Sequence, residues 1–227
     1  MSDRRETRWK RRGGVYLLTL LSLCWLTGCT TLVVVEGSIP EPQLETLAYK
    51  VGVYYAEAFS TQYYEESIPQ GGDWKVDFSE YNQQMTQSIL DHVFRETVLS
   101  GPPDGQSLPG DQVVQVAGQV DGYVAPVITQ YAFLVPSTSG LQFFSASIHY
   151  ELWLYDREGR LITTWKTVGY GKSEVSSLTP GQSLAAATLE AIRDGTARMG
   201  IALTRNSDQN REINRWLTLM AANSSGS

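Results

Sequence analysis

The residue types that do chemistry are few in this chain. Its 227 residues hold two cysteines, Cys24 and Cys29, and two histidines, His92 and His149. His149 alternates with Ser145 and Ser147, a base beside hydroxyls of the kind nucleophilic hydrolysis uses. Neighbours along one strand face do not make a reaction cleft, and a general base must reach a substrate proton. His149 therefore reads as a surface residue. Glu65, Glu66, Asp73, Asp77 and Glu80 cluster around one loop. Paired carboxylates cleave glycosidic bonds, including those of a cell wall, when they flank a groove. Acids crowded at a turn read instead as a solvated loop. Gly169-Tyr170-Gly171-Lys172-Ser173 ends like a phosphate-binding loop, but that motif needs a glycine where this chain has Lys166. Two distant histidines also fall short of the N/S ligand set of zinc. The expectation is a non-enzyme with no catalytic residue, no metal and no cofactor.

Cys29 is the exception, because of what precedes it. Arg4, Arg5, Arg8, Lys10, Arg11 and Arg12 lead into a 12-residue apolar run from Val15 to Leu26. The run closes in Leu26-Thr27-Gly28-Cys29. A basic start, an apolar stretch of roughly 7–15 residues and small residues at the cut define a secretory leader. The run is too short for the ~20 residues a bilayer span needs. Arg4-Arg5 lacks the apolar pair that twin-arginine export wants, since Glu6, Thr7 and Arg8 follow. The ending resembles a bacterial lipoprotein signal, with Leu26, Thr27 and Gly28 as its lipobox. That resemblance implies cleavage before Cys29, a diacylglyceryl group on its sulfur and an acyl chain, such as palmitate, on its new amine. In the resembled class an Asp after the cysteine favours retention at the inner membrane. Thr30 stands there instead, which implies the outer membrane, facing the periplasm.

Charge narrows the partners. The leader carries six Lys/Arg and two Asp/Glu, so the 18 and 24 of the whole chain become 12 and 22, a formal charge of −10. Nucleic-acid binders carry basic patches, and electrostatic docking on anionic lipid needs clustered Lys/Arg. Both are excluded as main modes, so membrane attachment falls to the acyl chains on Cys29. Cys24 leaves with the leader, so the mature chain has no second cysteine for an internal disulfide. The fold must hold by its core, and its length suffices for one domain.

The elements that must position these groups are set by pattern. Residues 1–28 are the leader and 29–46 the lipidated end and tether, which Gly37, Pro40 and Pro42 interrupt. Leu32-Val33-Val34-Val35 can instead pair at a sheet edge. The domain spans 47–222, and 223–227 is a tail. Tyr49 to Tyr55 and Trp74 to Phe78 alternate as strands, with a turn over 70–73. Ser79 is expected to cap a helix from Glu80 to about Leu99 that carries Tyr81, Met85, Ile89, Leu90, Val93 and Phe94 on one face. Strands are expected over 112–118 and 119–135, with Pro126 marking an edge or a bulge. Residues 143–155 and 160–170 form a hairpin around Asp156-Arg157-Glu158-Gly159, with Gly159 left-handed. Ungapped pairing sets Leu154 opposite Ile162 and Ile148 opposite Val168. Helices are expected from about Gly181 to Leu203 and from Ser207 to Ala222. The class is α+β: an antiparallel or mixed β-sheet with two or three helices packed on one side.

On that pairing Trp153, Tyr155 and Trp165 share the hairpin face opposite the core residues Ala146, Ile148, Tyr150, Leu152 and Leu154. They are either a second buried layer or a recognition surface, since Trp and Tyr are enriched at binding hot spots. The run 51–55, the segment 120–128, the hairpin 150–159 and the helix 189–194 come in an order that resembles the TolB N-terminal-like α+β lipoproteins, including PelC-type and YajG-type envelope lipoproteins. The resemblance implies an interaction domain in an envelope transport, export or outer-membrane assembly system, with a protein partner or its own copies. The alternative is a periplasmic lipid- or glycan-binding module with an aromatic-lined pocket.

Overall fold

A computed structural model describes residues 30–56, 59, 63–69, 71–100, 120–175, 179–204 and 210–224. The strands are β1 (Thr30–Val34), β2 (Leu47–Tyr54), β3 (Tyr63–Ile68), β4 (Gly72–Asp77), β5 (Phe94–Ser100), β6 (Gly122–Leu134), β7 (Phe143–Tyr155) and β8 (Leu161–Glu174). The helices are α1 (Ser79–Val93), the single turn α2 (Pro136–Ser139), α3 (Pro180–Thr204) and α4 (Arg211–Ser224). Five strands form a mixed sheet in the order β5-β2-β6-β7-β8, and three form a smaller one in the order β1-β4-β3. β2 runs parallel to β5 and β6, while β6, β7 and β8 are antiparallel neighbours. The class is α+β, as the pattern of elements implies.

Alternation on β7 builds the main core. Phe144, Ala146, Ile148, Tyr150, Leu152 and Leu154 all point to one face and are buried. They share one cluster with Met85, Ile89 and Val93 of α1, Leu184, Ala191 and Ile192 of α3, and Ile213, Trp216 and Met220 of α4. Two polar bonds cross this apolar layer: Tyr150 Oη donates to Asn82 Oδ1 at 2.5 Å, and Tyr131 Oη lies 2.7 Å from Thr188 Oγ1.

Two bulges decide which side chains reach the core. On β6 the inward residues are Val124, Pro126 and Ile128, paired with Leu154, Leu152 and Tyr150. The register then shifts between Ile128 and Gln130, so Tyr131 and Phe133 point inward opposite Ile148 and Ala146. Pro126 sits in a central strand, not at an edge. The pairing of β6 with β2 stops at Val124, opposite Val53, so the missing N–H of Pro126 breaks no ladder with β2.

Three sequence expectations are corrected. The long first helix ends at Val93, and Phe94–Ser100 form β5, because pairing with β2 offers Thr97 and Val98 a ladder that suits β-branched residues. Ser79 is the first helical residue rather than the cap; Asp77 Oδ1 accepts from its backbone N and its Oγ at 3.3 and 2.9 Å. The tether begins as a strand, the alternative given for Leu32–Val35: β1 is the edge strand of the smaller sheet, Val33 and Val35 are buried, and Val35 N donates to Asp77 O at 2.9 Å. β3, unforeseen, pairs with β4 across the expected turn. The strand expected over 112–118 lies outside the described residues.

Candidate functional site

Each acid of the loop cluster already has a local partner. Glu65 pairs with Lys75 at 3.0 Å, and Glu66 accepts from Tyr64 Oη at 3.1 Å. Asp73 accepts from Ser67 Oγ at 2.6 Å, Asp77 holds the start of α1, and Glu80 accepts from Gln84. The bonds of Glu65, Glu66 and Asp73 lie on the β3–β4 hairpin, whereas Asp77 and Glu80 stand at the start of α1, where with Glu36 they line a small cavity of about 160 Å3. His92 Nδ1 lies 2.7 Å from Ser88 O on its own helix. His149 pairs with Val168 and Gln130 across the sheet, on the face away from α1 and α3. Among the described residues no group of three His, Cys, Asp or Glu could hold a metal.

Gly169 and Gly171 have a different task from phosphate binding. Both lie inside β8, and α3 presses against them. A Cβ at Gly169 would meet Ala191 O at 2.0 Å, and one at Gly171 would meet Ala187 O at 2.0 Å. The glycines let helix backbone and strand backbone approach, helped by the alanines that α3 turns toward them. Lys172 lies over the ring of Phe143, 4.1 Å from its centroid.

The aromatic trio is split by the second bulge. The register shifts between Leu154 and Tyr155: Tyr155 faces Leu161, whereas Leu154 faces Thr163. One residue of β8 is absorbed, and every later side chain changes face. Trp165 therefore pairs with Leu152, packs on the main core and donates Nε1 to Asn210 Oδ1 at 3.2 Å. Trp153 stays on the opposite face, half-buried against a small cluster of Tyr54, Ala56, Val120, Tyr123, Ala125 and Tyr155. Tyr155 is fully buried, and its carbonyl accepts from Trp216 Nε1 at 2.8 Å. The three do not form one exposed surface. In the same register Val168, expected opposite Ile148, is exposed, and Gly169 takes its place. Leu26, Thr27, Gly28 and Cys29 lie outside the described residues.

An apolar concavity lies elsewhere. At the end of the large sheet where β7 begins and β8 finishes, a cavity of about 390 Å3 is lined by Trp74, Val135, Pro136, Phe144, Val175 and Pro180, among others. Trp74 is fixed there by its Nε1 bond to Gly71 O at 3.0 Å and by edge contacts with Phe133 and Phe144 at 5.8 and 6.3 Å. The hairpin β3–β4, the turn α2 and the start of α3 thus converge around an apolar space. Sequence reading missed it because its walls come from five separate segments. The available signals were Pro136 and Pro180, which punctuate the chain on either side of the β7–β8 hairpin. A second apolar groove of about 280 Å3 lies between Pro40, Pro42 and Leu44 on one side and Met85, Ile89 and Ile201 on the other.

No family model matches this sequence. No curated protein sequence matches it either. Solved structures do resemble it. A Xanthomonas campestris protein of the DUF330 family superposes with a TM-score of 0.51 at 13% identity, covering 79% of this chain and 98% of that one. A minor lipoprotein from Acinetobacter baumannii gives a TM-score of 0.38 at 9% identity, over 72% of this chain and 96% of that one. The first likeness is one of fold, over 79% of this chain.

Proposed function

We propose that this chain is a cell-envelope lipoprotein whose periplasmic domain is a non-enzymatic interaction component of an envelope transport, export or assembly system. The single observation that carries the reading is the passage Arg4–Cys29: a basic start, a short apolar run and Leu26-Thr27-Gly28-Cys29. Acylation of Cys29 holds the domain at the outer membrane. Two or more chains give an anchor that one chain does not. Confinement then raises the effective concentration of the domain for partners at the same surface. The acidic residues near the β3–β4 hairpin support this reading because each serves the local structure. The resemblance to TolB N-terminal-like lipoproteins points the same way.

The test is affinity purification from chemically cross-linked, detergent-solubilised envelopes of cells expressing the full chain. A reproducible partner, or self-association of the chain, is expected. Recovery of the chain alone, monomeric and uncross-linked, would contradict the proposal. A second reading, a lipid- or glycan-binding module, draws on the cavity beside Trp74 and Phe144, since ligand sites are apolar concavities of this order. Native mass spectrometry of the purified domain with co-purified lipid still bound would favour it.

A further inference from the structure

The cavity beside Trp74 offers water little. It has a volume of about 390 Å3, and ligand sites of roughly 300–1,000 Å3 set a few placed polar groups on mostly apolar walls. Among the described residues, the polar side chains that line it are Ser137, Gln142 and Ser183, and no Asp, Glu, Lys, Arg or His joins them. Trp74 adds no donor, because its Nε1 already bonds Gly71 O at 3.0 Å. An ordered water needs two to four polar partners, which three side chains cannot supply across such a space. Water against the remaining wall is favourably displaced by apolar surface.

Ser183 gives the cavity a polar point. It stands in the first turn of α3, lines the cavity and is only 1% exposed. That turn is fixed without a ligand. Ser183 N donates to Thr179 O at 2.9 Å, Thr179 N donates to Gln182 Oε1 at 3.0 Å, and Gln182 N donates back to Thr179 Oγ1 at 3.3 Å. The later hydroxyls of α3, on Thr188, Thr196 and Thr204, each donate to a carbonyl four residues back. Ser183 Oγ makes no hydrogen bond among the described residues. A buried hydroxyl with its donor and both acceptor sites unused therefore borders an apolar space.

These features select a ligand. A charged headgroup would lose its water here and meet no counter-charge. A sugar would bring more hydroxyls than three side chains can pair. An aliphatic chain with one neutral polar group fits both the walls and the hydroxyl. We infer that the cavity binds the acyl chain of a neutral ester, with Ser183 Oγ donating to the ester carbonyl and the chain against Trp74 and Phe144. Val175, which lines the cavity yet is 50% exposed, stands at its mouth. The inference rests on the second reading above, a lipid- or glycan-binding module, and deepens it. It does not require acylation of Cys29.

The experiment uses the full chain, isolated from envelopes of expressing cells and exchanged from detergent into amphipol. The probe is monolaurin with a diazirine on its acyl chain, and mass spectrometry of tryptic peptides locates the label after illumination. Label is expected on the peptides that hold Trp74, Phe144 or Val175. Unlabelled monolaurin should remove it, laurate should compete several-fold less well, and maltose should not compete. Val175→Trp, set across the mouth, should cut labelling several-fold with an unchanged circular dichroism spectrum. Ser183→Ala should weaken labelling by monolaurin several-fold yet leave labelling by a diazirine-bearing dodecane unchanged, and this comparison stands even if Val175→Trp does not fold. Label spread evenly over surface peptides, or unaltered in both variants, would overturn the site and the second reading with it. Competition by maltose at the same peptides would refute the aliphatic ester alone and leave a glycan-binding module standing. Laurate competing as well as monolaurin, or equal loss of both probes in Ser183→Ala, would contradict the neutral ester and its bond to the hydroxyl.

Discussion

At the scale of single residues the buried hydroxyls carry the clearest consequences. Tyr150 Oη donates to Asn82 inside an apolar layer, and Asn82 Nδ2 has no partner there. Tyr150→Phe strips Asn82 Oδ1 of its donor. It should cost about 1–3 kcal/mol of unfolding free energy, read by urea denaturation. Burial also raises the phenol of Tyr150 well above its ordinary value, and raises those of Tyr131 and Tyr55, the latter helped by nearby Asp91. In the unfolded chain these phenols ionise near pH ~10, whereas the fold keeps them neutral. Their contribution is complete below that pH and is lost as pH rises toward the folded values. Unfolding midpoints should fall steeply above pH ~10, and less steeply in the Tyr150→Phe protein. Gly171→Ala tests the strand–helix approach: its Cβ meets Ala187 O at 2.0 Å, so either backbone must move. A loss of about 1–3 kcal/mol or more is expected. This tight contact was not legible from the sequence. The motif looked like chemistry, and only the placement of α3 reveals that the missing Cβ atoms matter for packing.

Among elements, the β7–β8 hairpin shows how far pattern reading reaches. Its strands, its turn and the left-handed Gly159, at φ 78°, were all legible. The bulge at Leu154 was not, because a one-residue insertion leaves alternation intact on each side and changes only the phase between strands. That phase sends Trp165 to the core, while Trp153 and Tyr155 stay on the other face. Asp156 organises the turn: its carboxylate accepts from the backbone N of Glu158 and Arg160 at 3.0 and 2.9 Å and from Arg160 Nε at 2.8 Å. Asp156→Ala should cost about 1–2 kcal/mol, most of it through the lost backbone bonds rather than the exposed guanidinium. β3 and β5 were hidden for a related reason. Tyr63–Ile68 carries Glu65 and Glu66 where a strand usually shows apolar alternates, and Phe94–Ser100 continues the apolar spacing of α1. Tertiary pairing overrides both local signals. α4, by contrast, was readable from Ile213, Trp216 and Met220 at helical spacing. Trp216 is fully buried, meets Phe94 edge-on at 6.0 Å and donates to Tyr155 O. Trp216→Ala should remove about 3–5 kcal/mol and loosen α4 first, which hydrogen exchange along 211–222 would detect.

For the whole molecule, the order of strands and helices is the strongest constraint, and it points to an α+β fold held by its core. The architecture and its likeness to the Xanthomonas protein agree on the fold. The apolar cavity beside the start of α3 could not be read from the sequence, because Trp74, Phe144, Val175 and Pro180 are separated by up to 106 residues and meet only in the folded chain. The interaction role proposed for the domain depends on one modification, so its detection is the most direct test. Mass spectrometry of the N-terminal peptide of the protein purified from membranes should find a chain starting at Cys29, with the mass of a diacylglyceryl group and one further acyl chain. An unmodified Cys29, or a chain that still begins at Met1, would contradict the account.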